Sequence, residues 1–219
     1  SMSVVGRQAL ESEAAMEEAA LGIAVITGFY NQTACANTRI VYVECDTDDE
    51  SIEKLVALGS KVVAAFKTLP PVISTPVTKR NQDLEAEMEA IALEDDFYHV
   101  EGDTLTGGVI VSKFADRIDF FDQLNNRVVN LVPIADLTEV TKWCDDTTQT
   151  VGVYPESLRD KLLDPFALAG VQRMVAIGGG DAMRIFENMH TLPPGMPHDS
   201  IEPLRRNVRW VIDQRAPDN

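Results

Sequence analysis

Cys35 lies in the stretch GFYNQTACANTRIVYVE, residues 28–44, with Asn31, Gln32, Thr33 and Asn37 around it. A thiol does nucleophilic chemistry only as thiolate, so its free pKa of about 8.5 must be lowered by positive charge or by backbone N–H groups, which a polar turn beside a helix end can supply. The neighbouring amide side chains are able to fix such a turn. An ordinary half-buried cysteine is the competing reading, and the spacing alone leaves both open. The other two thiols contrast with it: Cys45 sits in the acidic run ECDTDDE, whose charge raises a thiol pKa, and Cys144 is expected on a helix beside Trp143. Both read as bystanders.

Three further groups have chemical potential. Gly178 and Gly179 belong to IGGGD, residues 177–181, between an expected strand and a helix beginning at Asp181. Glycines permit close backbone approach to a ligand and a helix N-terminus attracts phosphate, but the pattern matches neither a dinucleotide fingerprint nor a P-loop, and a tight strand-to-helix turn is the plainer reading. His198 beside Asp199 has the form of a general acid or base, against an exposed histidine next to a helix cap. Arg205 and Arg209 share a helix face and, with Arg206, suit a phosphate or carboxylate, against a solvated face balanced by Glu202 and Asp213. His99 and His190 are assigned structural roles.

The elements that must position these groups follow from periodicity. Residues 3–6 read as a short strand, and Ser12 to Phe29 carries apolar residues at the three-to-four spacing of an amphipathic helix. RIVYV (39–43) is a strand, and the segment after it is a helix entered through Asp and Ser and stopped by Pro70-Pro71. A proline-rich linker, 70–76, precedes an acidic helix around 79–93. Strands follow in FYHVEG, GGVIVSK and RVVNLVPI, then helix 136–145, strand TVGVY, helix 156–168, strand RMVAIG and a last helix from Ile201. Apolar strands alternating with helices specify an α/β fold, a mostly parallel sheet with helices on both faces, and the GGVIVSK region adds an antiparallel pair.

At 219 residues the chain is expected to be one domain. Its formal charge of −16 argues against nucleic acid or an anionic membrane surface as partner. No apolar run approaches the roughly 18–20 residues of a membrane span. The three cysteines are odd in number and have no metal-ligand spacing, so neither a disulfide framework nor a metal is expected, and a reducing cytoplasm is the expected compartment.

The segment SVVG…AMEEAALGIAVITGFYNQTACANTRIVYVE resembles the catalytic-cysteine segment of the aldehyde dehydrogenase superfamily, where a helix ends in a Phe-x-Asn-x-x-x-Cys turn leading into a strand that carries Arg. Phe29, Asn31, Cys35 and Arg39 match. Within the superfamily it is most similar to the acyl-CoA reductases of bacterial bioluminescence: YNQTACANTR has their Gln-x-x-Cys form, and QTVGVYPESL, GVQRMVAIG and PHDSIEPLRRNVRW are similar to their later segments. The resemblance implies an aldehyde-dehydrogenase-like catalytic domain. In it Cys35 attacks the thioester carbonyl of an acyl-CoA and expels CoA, and a reduced nicotinamide, NADPH or NADH, then yields the aldehyde. Asn31 would hold the turn and the Cys35 N–H would form part of an oxyanion hole.

Two departures bear on this. No Glu base of the kind oxidising members use precedes Cys35, which agrees with reduction and equally with a truncated chain. No Gly-x-Gly-x-x-Gly segment precedes it either. Residues 1–219 are therefore expected to be the catalytic, thiol-bearing domain of a longer chain, with the nucleotide-binding domain largely absent and the cofactor bound mainly there. The expected partners are acyl-CoA, the remainder of the polypeptide and further copies in a homo-oligomer. The alternatives are an aldehyde or semialdehyde dehydrogenase domain, and a non-catalytic assembly domain in which Cys35 is inert.

Overall fold

Strand residues that are apolar on both sides can be stable only in a sheet covered on both faces, and that is what the computed structural model, which describes residues 1–190, contains. Seven strands, β1 (Met2–Val5), β2 (Ile40–Glu44), β3 (Tyr98–Asp103), β4 (Gly107–Ser112), β5 (Val128–Ile134), β6 (Thr150–Tyr154) and β7 (Arg173–Ala176), form one sheet in the order β3-β4-β5-β2-β1-β6-β7. β3 pairs antiparallel with β4, and every other pairing is parallel. The central strand β1 sets Met2 beside Ile40 on one side and Val151 on the other, so the three strands start within one residue of one another.

Alternate residues go to opposite layers. Val41 and Val43 face a core shared with helices α1 (Glu13–Gly28), α2 (Asp49–Thr68) and α5 (Ala182–His190). Ile40 and Tyr42 face the other side, with α4 (Arg159–Leu168) and a 3-10 helix, Leu137–Trp143. Helix α3 (Gln82–Ala92) covers β4 and β5 on that second side through Leu84 and Met88.

Helix α2 forms because Asp48 accepts the Ser51 N–H as its cap, Asp49 and Glu50 favour the positive end of the helix dipole, and Ile52, Leu55, Leu58, Val62 and Phe66 make one buried stripe. Each such buried side chain contributes about 2 kcal/mol. Helix α1 is nearly all buried from Met16 to Gly28 and so leans on small residues; a Cβ at Gly22 would lie 2.1 Å from the Ile177 carbonyl oxygen. Among the described residues no helix is long and apolar enough to cross a membrane.

The expected helix 136–145 is instead the 3-10 run Leu137–Trp143. Thr138, Val140 and Thr141 are β-branched, and the Thr141 hydroxyl bonds back to the Thr138 carbonyl at 2.7 Å, which favours the tighter winding. The expected helix 156–168 begins with a 3-10 turn, Glu156–Leu158, before α4.

Candidate functional site

Crossover helices run against the strands, and this decides where each candidate lies. α1 starts at the carboxyl edge of the sheet, where Tyr154 at the end of β6 donates its hydroxyl to the Ala15 carbonyl and to Glu18. It ends at the opposite, amino edge, where the chain turns through residues 29–39 into β2. Cys35 therefore lies at the amino edge: its carbonyl accepts the Ser1 hydroxyl at 3.0 Å, and the same hydroxyl accepts the N–H of Thr150, the first residue of β6.

The turn is held almost wholly by amide side chains. Asn37 is fully buried and donates from Nδ2 to the carbonyls of Ile26, Thr27 and Phe29 where α1 ends, while its Oδ1 accepts the Ala34 N–H at 2.7 Å. Gln32, also buried, donates from Nε2 to the Thr38 and Val128 carbonyls and accepts the Val128 N–H, which joins the neck of the loop to the start of β5. Asn31 accepts the Ser74 hydroxyl at 2.8 Å and the Thr75 N–H at 2.9 Å. Each such bond contributes on the order of 1 kcal/mol net, and more is lost when a buried partner is orphaned.

These bonds hold an unusual backbone. Tyr30, Asn31 and Gln32 have φ of 50, 54 and 63°, a left-handed run with no glycine in it. Such conformations cost roughly 1–2 kcal/mol per residue, so the run persists only because the surrounding bonds determine it. It delivers the chain to a four-residue turn, Ala34–Asn37, closed by the Asn37 N–H on the Ala34 carbonyl at 3.1 Å. Cys35 is the second residue of that turn. Its side chain is exposed, and its backbone N–H has no acceptor among the described residues.

The other thiols are unlike it. Burial, with Asp46 adding to it, pushes the Cys45 thiol up to about 12. Burial, helped by Asp145, pushes Cys144 up to about 11. The acidic run thus acts on Cys45 as expected, but second to burial.

Gly178 and Gly179 are not brought to Cys35. They follow β7 at the carboxyl edge, where the Gly179 N–H donates to Glu18 and a Cβ at Gly178 would meet the Tyr154 ring at 3.0 Å. Glu18 precedes Gly28 by ten residues of α1, ~15 Å of helix. Asp181 caps α5 through the Arg184 N–H, as its sequence position suggests. Arg39 stands beside the Cys35 turn at the start of β2 and donates from Nε to the Leu124 carbonyl. His198, Arg205, Arg206 and Arg209 lie outside the described residues. Sequence reasoning did not single out Ser74 and Arg127, which complete the support of Asn31; neither residue type nor spacing marks them. Two cavities, of about 400 and 380 Å³, lie between α1 and α2 and beside Cys45; Cys35 lines neither.

The arrangement leaves an exposed thiol beside an N–H that has no acceptor among the described residues, on a turn held by buried amide side chains. The Gly178–Gly180 turn between β7 and α5 does not fit a dinucleotide phosphate: its Gly179 N–H already holds the Glu18 carboxylate, where a phosphate would need that donor.

Comparison with known proteins bears on the fold and the family. Solved aldehyde dehydrogenases share the fold: that of Brucella melitensis biovar abortus superposes with a TM-score of 0.53 at 12% identity, over 81% of this chain and 38% of that one. The NAD-dependent benzaldehyde dehydrogenase of Corynebacterium glutamicum gives 0.51 at 14% identity, over 86% and 42%. In sequence, the long-chain acyl-protein thioester reductase of Vibrio harveyi is 30% identical over 209 residues, and that of Aliivibrio fischeri 28% over 208, each covering 94% of this chain. The chain spans 40% of the length of these relatives. With the family model for acyl-CoA reductase (LuxC) matching residues 1–210, the chain belongs to that family.

Proposed function

We propose that this chain is the thiol-bearing catalytic domain of a longer reductase of fatty acyl thioesters, and that Cys35 is its acyl acceptor. The observation that carries the reading is the contrast among the thiols: Cys35 is exposed on a locked turn beside an N–H with no acceptor among the described residues, whereas burial pushes the Cys45 and Cys144 thiols up. In the step these residues can perform, the Cys35 thiolate attacks the thioester carbonyl carbon, a new C–S bond forms, and the carbonyl electrons collect on oxygen. The Cys35 N–H donates to that oxyanion, an interaction worth about 3 kcal/mol in comparable sites. The electrons then return, the bond to the carrier sulfur breaks, and the carrier leaves as thiolate, with the acyl group held on Cys35. Asn31, Gln32 and Asn37 keep the sulfur and the N–H in register and touch no reacting atom. Reduction to the aldehyde requires a nicotinamide hydride, whose binding we assign to the remainder of the polypeptide.

The carrier is either CoA or a protein thiol. The relatives are named for acyl-protein thioesters, and acyl-CoA is the simpler donor chemically. The test is to incubate the chain with a long-chain acyl-CoA and, separately, with an acylated carrier protein, and to weigh the intact product. A gain of one acyl group that disappears in Cys35→Ser is expected in at least one arm, and the productive arm names the carrier. Labelling that persists in Cys35→Ser sinks the proposal, and no labelling in either arm returns the chain to a non-catalytic assembly role.

A further inference from the structure

Arg127 is 1% exposed, yet it takes part in no ion pair among the described residues. A guanidinium is normally kept out of water only against a carboxylate or a full set of acceptors. Here Nη2 donates to the Thr106 carbonyl and Nη1 to the Ser74 hydroxyl at 3.4 Å, while Nε–H finds no acceptor among the described residues. The Phe66 ring centre lies 5.5 Å from the guanidinium carbon. The Asp103 carboxylate acts on Arg127 through space and is itself taken by the Leu105 and Thr106 N–H groups. Ion pairing thus does not account for this buried cation, and its contacts lead elsewhere.

They lead to the Cys35 turn. The Ser74 hydroxyl that accepts from Arg127 donates in turn to Asn31 Oδ1 at 2.8 Å. Asn31 is the middle residue of the left-handed run Tyr30–Gln32. Asn126 and Arg127 are left-handed as well, with φ of 55 and 65°, and Val128, the next residue, donates its N–H to Gln32 Oε1 and accepts Gln32 Nε2 at its carbonyl. Two strained segments from distant parts of the sequence are therefore fastened at two points, Gln32 to Val128 and Asn31 through Ser74 to Arg127. Strain of this kind persists where such fastenings determine it.

We propose that Arg127 is a positioning residue for Cys35: its guanidinium fixes Ser74, Ser74 fixes Asn31, and Asn31 fixes the run that aims the turn Ala34–Asn37. The inference rests on the reading of Cys35 as the acylated thiol and adds a cause three contacts away. Lysine cannot substitute, because one ammonium lacks the rigid fork that reaches the Thr106 carbonyl and the Ser74 hydroxyl together.

The test compares Arg127→Lys, Arg127→Met and Ser74→Ala with the unaltered chain, each well below its own melting temperature. Two quantities are read: the rate of Cys35 acylation relative to Cys35 alkylation by iodoacetamide, and hydrogen exchange of the amides of residues 30–38. Acylation should fall about tenfold or more in both Arg127 variants, since misplacing a reacting group by a fraction of an ångström has effects of that order. Alkylation, which needs no aimed turn, should change less than about twofold. The amides of residues 30–38 should exchange faster in all three variants, and lysine should not rescue. Ser74→Ala breaks the middle link without stranding a charge, and it decides the matter should the Arg127 variants fail to fold. A purely structural role predicts lowered melting temperatures with the acylation-to-alkylation ratio and the exchange of residues 30–38 unchanged, and that result overturns the proposal. If the unaltered chain accepts no acyl group, the functional reading fails, while the exchange measurement still decides whether Arg127 holds the turn.

Discussion

The two edges of the sheet carry turns built from opposite materials. At the carboxyl edge Gly179 and Gly180 take φ of 111 and 66° at little cost, because they lack a Cβ. At the amino edge Tyr30, Asn31 and Gln32 take left-handed values against their intrinsic preference. The glycine turn has its backbone donor aimed at Glu18, so the feature that made it a phosphate candidate is consumed inside the fold. The amide turn satisfies itself through side chains and, among the described residues, leaves the Cys35 N–H without an acceptor and its sulfur exposed. The exposed thiol lies where the backbone is costly and locked, while the conformationally permissive turn is closed.

The difference is broken most severely at Asn37. Asn37→Ala removes four hydrogen bonds and takes their side-chain donor from the Thr27 and Phe29 carbonyls, while the Ile26 carbonyl keeps the Thr38 N–H. A loss of about 3 kcal/mol in urea unfolding is expected, together with loss of Cys35 acylation. A loss under about 1 kcal/mol would mean that water replaces the amide and that the turn is not locked.

Glu18→Gln tests the other edge. It keeps an acceptor for the Gly179 N–H but removes the charge, so about 1 kcal/mol is expected, with acylation at Cys35 unchanged. The Tyr154 phenol, raised to about 12 first by burial and then by Glu18, should titrate lower in the variant but still above 10.0. The sign follows from linkage: a phenol whose folded pKa exceeds its unfolded value contributes stability that is complete below about pH 10 and lost as pH rises toward 12. Glu18→Gln should narrow that alkaline loss, as read by phenolate absorbance. If acylation fell with it, the glycine turn would belong to the site after all.

The thiols sharpen the comparison by pH. At pH 8 iodoacetamide should modify Cys35 first, with Cys144 following only near its value of about 11 and Cys45 nearer 12. Both raised thiols also make the fold lose stability as pH climbs from about 9 through those values, because the unfolded chain gives up the protons first. Peptide mapping that finds equal labelling of all three at pH 8 would remove the distinction on which Cys35 was chosen.

The inner strands were readable because they are largely apolar on both faces and bounded by turn residues; TVGVY is β6 to the residue, and the antiparallel pair is β3 with β4. Cys35 was readable as a turn residue among amides. The left-handed run was not, since tyrosine and glutamine carry no signal for positive φ and only the bonds from Ser74, Thr75 and Val128 impose it. Arg127 was equally hidden, because an arginine reads as surface until the packing of Phe66 and the Thr106 carbonyl encloses it. Local pattern fixes elements, but a lock made by residues 96 positions apart, as between Gln32 and Val128, leaves no local trace.

The smallest effect concerns α1, which joins the two edges. Its first turn is capped by Ser12, whose side chain accepts the Ala15 N–H at 3.2 Å, and its last carbonyls are taken by Asn37. Ser12→Ala should cost about 1 kcal/mol and lower the melting temperature by about 2–4 °C. The fraying belongs to the first turn, and the other end of the helix is held by Asn37 rather than by propagation along the axis. Cys35 acylation should therefore keep its rate. A parallel fall in acylation would show that the amino edge depends on the helix as a whole, and the locked turn would then be a consequence of α1 rather than of its own amide side chains.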